Sequence, residues 1–138
     1  MKRVLMLASV ASMIDQFNMP NISLLQKLGY QVDVACNFVE GNTCSDERVA
    51  ELKQKLQDMH VHCYQIDFAR NIKHMGQNMR ALRQVEGLMK QNGYAFCHCH
   101  SPIGGVVARI AGHRTRTKVI YTAHGFHFYQ GAPVMNWL

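Results

Sequence analysis

A regular alternation of short apolar runs with amphipathic segments constrains this chain more than any other feature. The runs occupy residues 4–10, 30–36, 61–66, 94–100 and 118–122, and the stretches between them carry apolar residues at three- and four-residue spacing. Runs this short read as strands buried on both faces, and the helical stretches supply the crossovers that parallel neighbours require. The pattern predicts an α/β fold: a Rossmann-like three-layer sandwich with a mainly parallel sheet of at least five strands. With 138 residues, 48% of them hydrophobic and 17% charged, the chain suffices for one compact domain over 1–138 and not for two. The same figures exclude disorder, collagen and coiled coil.

The helices can be placed by their caps and stripes. Ile22, Leu25 and Leu28 form one stripe, closed by Gly29. Ser45 is a cap for the next helix, Asp46 and Glu47 suit its positive end, and Val49, Leu52, Leu56 and Met59 face inward, with Glu51 and Lys55 paired on the wet side. A later helix should turn Met75, Met79, Leu82 and Met89 inward and Arg80, Arg83 and Lys90 outward, ending at Gly93. Ser101 and Pro102 stand in the order of a cap and a first-turn proline, and Gly104, Gly105 and Ala108 make that helix thin enough to lie close on a sheet. Between the first strand and first helix, the polar stretch around Ser12 and Asp15 reads as a loop. Lys2 and Arg3 before the first apolar run also fit a secretory signal, but the downstream alternation would then lose its first strand, and the strand is the better reading.

The formal charge of +6, from fifteen Lys and Arg against nine Asp and Glu, favours anionic partners without choosing among them. Nucleic acid has charge alone in its favour, spread over two helices and a loop, so a solvated basic face explains it better. Five cysteines, an odd number lying mostly in apolar runs, indicate a reducing cytosol. No run approaches the length of a membrane span. The first loop lacks a G-x-G-x-x-G pattern, and P-loop, G-x-S-x-G and paired-carboxylate signatures are also missing, which leaves no cofactor expected and lowers hydrolase readings. Cys97-His98-Cys99-His100 resembles a metal site only on paper. On a strand the thiols face one side and the imidazoles the other, so four ligands cannot converge on one ion, and no metal is expected.

In sheets of this class ligands bind beyond the carboxyl ends of the strands, which directs attention to 9–15, Asn37, 67–70, 100–102 and 124–131. His100 closes the fourth strand beside a helix amino end, either as a ligand-facing group or as a cap of its own loop. His124 leaves the fifth strand into Gly125, which permits close approach of backbone to ligand, and His127 follows among aromatic residues that could stack on a sugar or fill a core.

Three blocks carry a specific likeness: Asp67-Phe68-Ala69-Arg70 with Asn78, then His98 to Gly105 with Arg109, then Val119 to Phe128. Together they resemble the amino-terminal domain of glycosyltransferase family 4, most nearly the bacterial capsule and exopolysaccharide enzymes. The resemblance implies half of a GT-B architecture, in which two Rossmann-like domains face each other across a cleft. It further implies metal-independent, retaining transfer of a hexose from a nucleotide sugar, held by the carboxy-terminal domain, to a polysaccharide or lipid-linked acceptor, at the cytoplasmic face of a membrane. Under it His124 is the catalytic candidate near the transferred sugar. His100 and Ser101 form the lip of the acceptor site, and Arg70 suits an acceptor phosphate. Ser12, Asp15, Gly125 and His127 complete the expected substrate contacts. Ser9-Val10-Ala11-Ser12 replaces the glycine pair of many relatives, which weakens any donor contact there.

The uncapped end at Trp137-Leu138 reads as the front part of something longer, whose missing partner is the donor-binding domain, and its apolar stub predicts self-association. A half-cleft should not catalyse transfer alone. The competing expectation is a non-catalytic module that binds phosphorylated lipid or glycan.

Overall fold

The computed structural model describes residues 2–39, 45–69, 75–100 and 102–122. It holds a five-stranded sheet in the order β3-β2-β1-β4-β5, with every pair parallel. The strands are β1 (Arg3–Val10), β2 (Gln31–Asn37), β3 (His62–Gln65), β4 (Phe96–His100) and β5 (Val119–Thr122). The helices are α1 (Ala11–Met13), which continues through a π-helical turn (Ile14–Asn18) into α2 (Met19–Lys27), then α3 (Asp46–Asp58), α4 (Met75–Asn92) and α5 (Pro102–Thr115).

Two apolar layers flank the sheet. On one face Val4, Met6, Val32 and Val34 pack against Ile14 at the start of the π turn, Ile22 of α2, and Leu52 and Leu56 of α3. On the other, Leu5, Leu7, Cys97 and Cys99 pack against Leu82, Val85 and Met89 of α4 and Ala108 and Ala111 of α5. Alternation along β1 sends odd and even residues to opposite layers, as a strand buried on both faces must. The expected three-layer α/β architecture is therefore present, with the thiols of β4 on one side and its imidazoles on the other.

Helix ends follow local chemistry. The Ser45 hydroxyl accepts the Arg48 amide hydrogen at 3.2 Å, and Gly29 (φ 94°) and Gly93 (φ 58°) stand in the left-handed region after α2 and α4. His60 (φ 63°) and Arg116 (φ 60°) do the same work after α3 and α5 without glycine's freedom. Gly105 and Gly112 let α5 lie on β5: an added Cβ would stand 2.8 Å from the Tyr121 ring and 2.5 Å from Val119 Cγ2, respectively.

Three expectations need correction. The stretch holding Ser12 and Asp15 is helical rather than a loop, because β1 passes directly into α1. Its π turn precedes Pro20, which has no amide hydrogen to offer the preceding turn, and the Asn18 side-chain amide donates to the Met13 carbonyl at 3.0 Å. Met79 is 43% exposed rather than inward, since the buried stripe of α4 runs through Ala81, Leu82, Val85 and Met89. On α3, Glu51 pairs with Arg48 at 3.5 Å, not with Lys55.

Candidate functional site at the carboxyl edge of the sheet

β1 lies at the centre of the sheet, and the chain crosses from it to β2 on one side and later to β4 on the other. In sheets of this class such a switch in winding, here between β1 and β4, marks where ligands bind beyond the carboxyl ends of the strands. Three of the buried polar side chains among the described residues lie at this edge: Ser12 after β1, Asn37 at the end of β2 and His100 at the end of β4.

His100 is fully buried, in register with Ala8 of β1 and Thr122 of β5. Its Nε2 lies 3.1 Å from the Met6 sulfur, and its ring sits 4.3 Å from that of His98, tilted by 46°. The two imidazoles share a face because they are two residues apart on a strand. Ser12 is also buried, within α1. Asp15 gives both carboxylate oxygens to Arg48, at 2.9 Å each, so this expected substrate contact is held in an ion pair with α3. Arg70, Ser101, His124, Gly125 and His127 lie outside the described residues.

Farther along the same edge, beyond β2 and β3, a network of amides surrounds a groove of about 550 Å³. Asn37 donates to the Phe68 carbonyl and accepts from the Val39 amide and from Gln65 Nε2, all at 2.9 Å. Gln65 also donates to Asp67 at 3.2 Å and accepts the Phe38 amide at 2.8 Å. Gln84 of α4 clamps Asp67 twice: its carbonyl accepts the Asp67 amide hydrogen at 2.8 Å, and its Nε2 donates to the carboxylate at 2.9 Å. Asn78 accepts the Ala69 amide at 3.1 Å. The extended segment after β3 is thus fixed by side chains rather than by a sheet ladder. Sequence reasoning had marked Asn37 and Asp67 by position but missed Gln65, Gln77 and Gln84. The available signal was Gln77 and Gln84, seven residues apart on one face of a helix that starts beside Asp67.

The thiols of β4 are chemically quiet. Burial pushes Cys97 well above the ordinary thiol range and Cys99 up to about 11, so both are protonated at neutral pH. Among the described residues, no three His, Cys, Asp or Glu side chains come together as a metal site would require. A second concavity, about 580 Å³, lies at the opposite edge, where Arg109, His113, Arg116 and Lys118 line the junction of α5 and β5. No helix among the described residues is long and apolar enough to cross a membrane.

The fold and the blocks around its carboxyl edge agree with what related proteins show. The chain matches the model of the family described as Glycosyl transferase 4-like over residues 3–138, and it belongs to that family. It is 34% identical over 140 residues to "Putative glycosyltransferase EpsD" of Bacillus subtilis (strain 168), covering 99% of this chain and 32% of the relative. The chain therefore spans about a third of the length of that relative. Among solved structures, Acinetobacter baumannii MurG superposes with a TM-score of 0.64 at 20% identity, over 89% of this chain and 34% of MurG. A deacetylase of teicoplanin biosynthesis superposes with a TM-score of 0.69 at 10% identity, over 96% of this chain and 72% of that one. At such identities these likenesses establish the fold alone; a deacetylase and MurG sharing it shows that the sheet does not choose the reaction. The chain is thus a Glycosyl transferase 4-like domain with a Rossmann-like fold.

Proposed function

We propose that this domain is the acceptor side of a retaining glycosyltransferase that moves a hexose from a nucleotide sugar to a polysaccharide or lipid-linked acceptor. The observation that supports the reading is the placement of Ser12, Asn37 and His100 at the carboxyl ends of β1, β2 and β4, where doubly wound sheets meet ligand. His100, buried against Met6 and beside His98, fixes the end of β4 at the lip of the acceptor site. His124 and Gly125, just past β5, face the transferred sugar; Ser101, Arg70 and His127 contact the acceptor, with Arg70 on its phosphate. The nucleotide sugar and the acidic residues that grip it belong to a donor-binding domain. Holding both substrates in one orientation is worth about 7–11 kcal/mol of barrier, which half a cleft does not supply. The domain works at the cytoplasmic face of a membrane, where lipid-linked acceptors are presented.

The test is transfer from nucleotide hexoses to lipid-linked acceptors by residues 1–138 alone and by the same residues fused to the carboxy-terminal part of EpsD. Product should form only in the fusion, with the donor's anomeric configuration retained, and His124→Ala in the fusion should abolish it. Turnover by the isolated domain, or an unimpaired His124→Ala fusion, would overturn the reading.

A second reading, a module that holds phosphorylated lipid or glycan without catalysis, is favoured by the basic concavity of Arg109, His113, Arg116 and Lys118 beside exposed Val106, Ile110 and Ile120. Co-sedimentation with anionic vesicles that survives His124→Ala but not R116E/K118E would support it.

A further inference from the structure

The groove at the ends of β2 and β3 has chemistry that selects its ligand. It is lined by the amides of Asn37, Gln65 and Gln77, the carboxylate of Asp67, the guanidinium of Arg80 and the exposed Val39. Asn37 and Gln65 spend their amide groups on each other, on Asp67 and on the backbone and so set the groove's shape, while the Asp67 carboxylate has lone pairs left to accept and the exposed Arg80 guanidinium donates. A surface of this kind matches vicinal hydroxyls, each of which also donates and accepts. A phosphate would meet one cation countered by Asp67, a lipid chain would find Val39 as its main apolar contact, and a nucleobase would find no aromatic side chain among the lining residues. The groove is also built before any ligand arrives. Gln65 links Asn37 to Asp67, Gln84 holds Asp67 from below, and Gln77 and Arg80 stand one helical turn apart on α4. Side chains already held in place lose less freedom on binding.

Its position matters as much as its lining. With the strand order β3-β2-β1-β4-β5, the groove and His100 are separated by two to three strand spacings, about 10–14 Å along the carboxyl edge. That is farther than one pyranose ring reaches. We infer that the groove is a distal subsite for an uncharged sugar residue of the acceptor, so that the acceptor is recognised as an oligosaccharide rather than as a single sugar. The inference rests on the acceptor-side reading above and adds to it the length and neutrality of the glycan.

The test uses side-chain amide signals of Asn37, Gln65 and Gln77 and the imidazole signals of His98 and His100 in NMR titrations of the 138-residue chain. The probes are glucose, three neutral trisaccharides (maltotriose, cellotriose, chitotriose) and trigalacturonic acid. At least one neutral trisaccharide should shift both sets of signals, at concentrations about tenfold lower than glucose requires, a difference of about 1.4 kcal/mol. Gln77→Ala and Arg80→Ala, both at the rim, should erase the amide shifts while leaving the unliganded spectrum otherwise unchanged. Imidazole shifts with silent amides would sink the distal subsite and leave the acceptor-side reading standing; silence of both sets would sink the two together. A preference for trigalacturonic acid, or equal potency of glucose, would overturn the claim of a neutral oligosaccharide.

Discussion

The two edges of the sheet hold polar clusters of opposite kinds. At the amino edge, Asp33 of β2 is fully buried, accepts from Arg3 of β1 at 2.8 Å and from the Tyr94 hydroxyl at 2.7 Å, and ties two strands to the turn before β4. At the carboxyl edge the cluster consists mostly of neutral amides and imidazoles, beside a groove. A buried charge demands a partner and tolerates little change, so it suits a lock. Neutral amides bond to one another and to the backbone without burying a charge, so they hold the shape of a groove at modest cost. Among the described residues the amino edge still leaves Asp33 Oδ1 and Arg3 Nε without partners, which makes its stability depend more heavily on the bonds it does form.

The contrast can be broken most directly at Asp33. Asp33→Ala strands Arg3 and Tyr94 and should destabilise by about 3 kcal/mol, the low end for a broken buried pair because the Arg3 side chain is 31% exposed. Urea unfolding measures it, and a loss no larger than that of Gln84→Ala would erase the distinction between the edges. Next comes Tyr94→Phe, expected to cost about 1–3 kcal/mol by removing one of the two hydrogen bonds that the buried Asp33 Oδ2 accepts. At the other edge, Gln84→Ala removes two bonds to Asp67 and should cost about 1–2 kcal/mol, with increased amide exchange at Asp67 and Ala69 as its local mark. The smallest effect is expected from Gln77→Ala, within about 0.5 kcal/mol of the parent by urea titration, since its bond to the Phe68 carbonyl is long at 3.4 Å.

Alkaline pH sharpens the comparison in another way. Burial raises Cys99, next to His100 at the carboxyl end of β4, from 9.0 to about 11. Because the folded state holds the proton more tightly, the stability this supplies is full below pH 9 and is lost as pH rises through 11. Burial, reinforced by the bond to Asp33, raises Tyr94 as well, so the amino edge also weakens above pH 10. In reducing buffer, Cys99→Ala should flatten the fall in stability between pH 9 and 11, and unchanged slopes would refute the assignment.

Much of this was legible in the residues. The parallel sheet, the caps at Gly29, Ser45 and Gly93, and the division of β4 into a thiol face and an imidazole face all follow from spacing along the chain. The π turn did not, because it lies within a segment whose polar residues imitate a loop. Met79 was misplaced because hydrophobicity marks what could be buried and not how wide a stripe the sheet will cover. The ends of α3 and α5 were hidden because His60 and Arg116 adopt a conformation that sequence associates with glycine. Of the candidate site, Asn37, Asp67 and His100 were marked by position, whereas Gln65 and Gln84 are ordinary surface residues until Asp67 comes between them.

The sequence by itself determined the order of elements and which face each would bury, since both depend on periodicities only a few residues long. Tertiary structure alone decided the partnerships across long separations: Asp33 with Tyr94, 61 positions apart, Asp15 with Arg48, and Gln84 with Asp67. Hydrogen bonds have a range of about 3 Å, so such pairs come into being only after the packing of apolar layers has brought their strands and helices side by side.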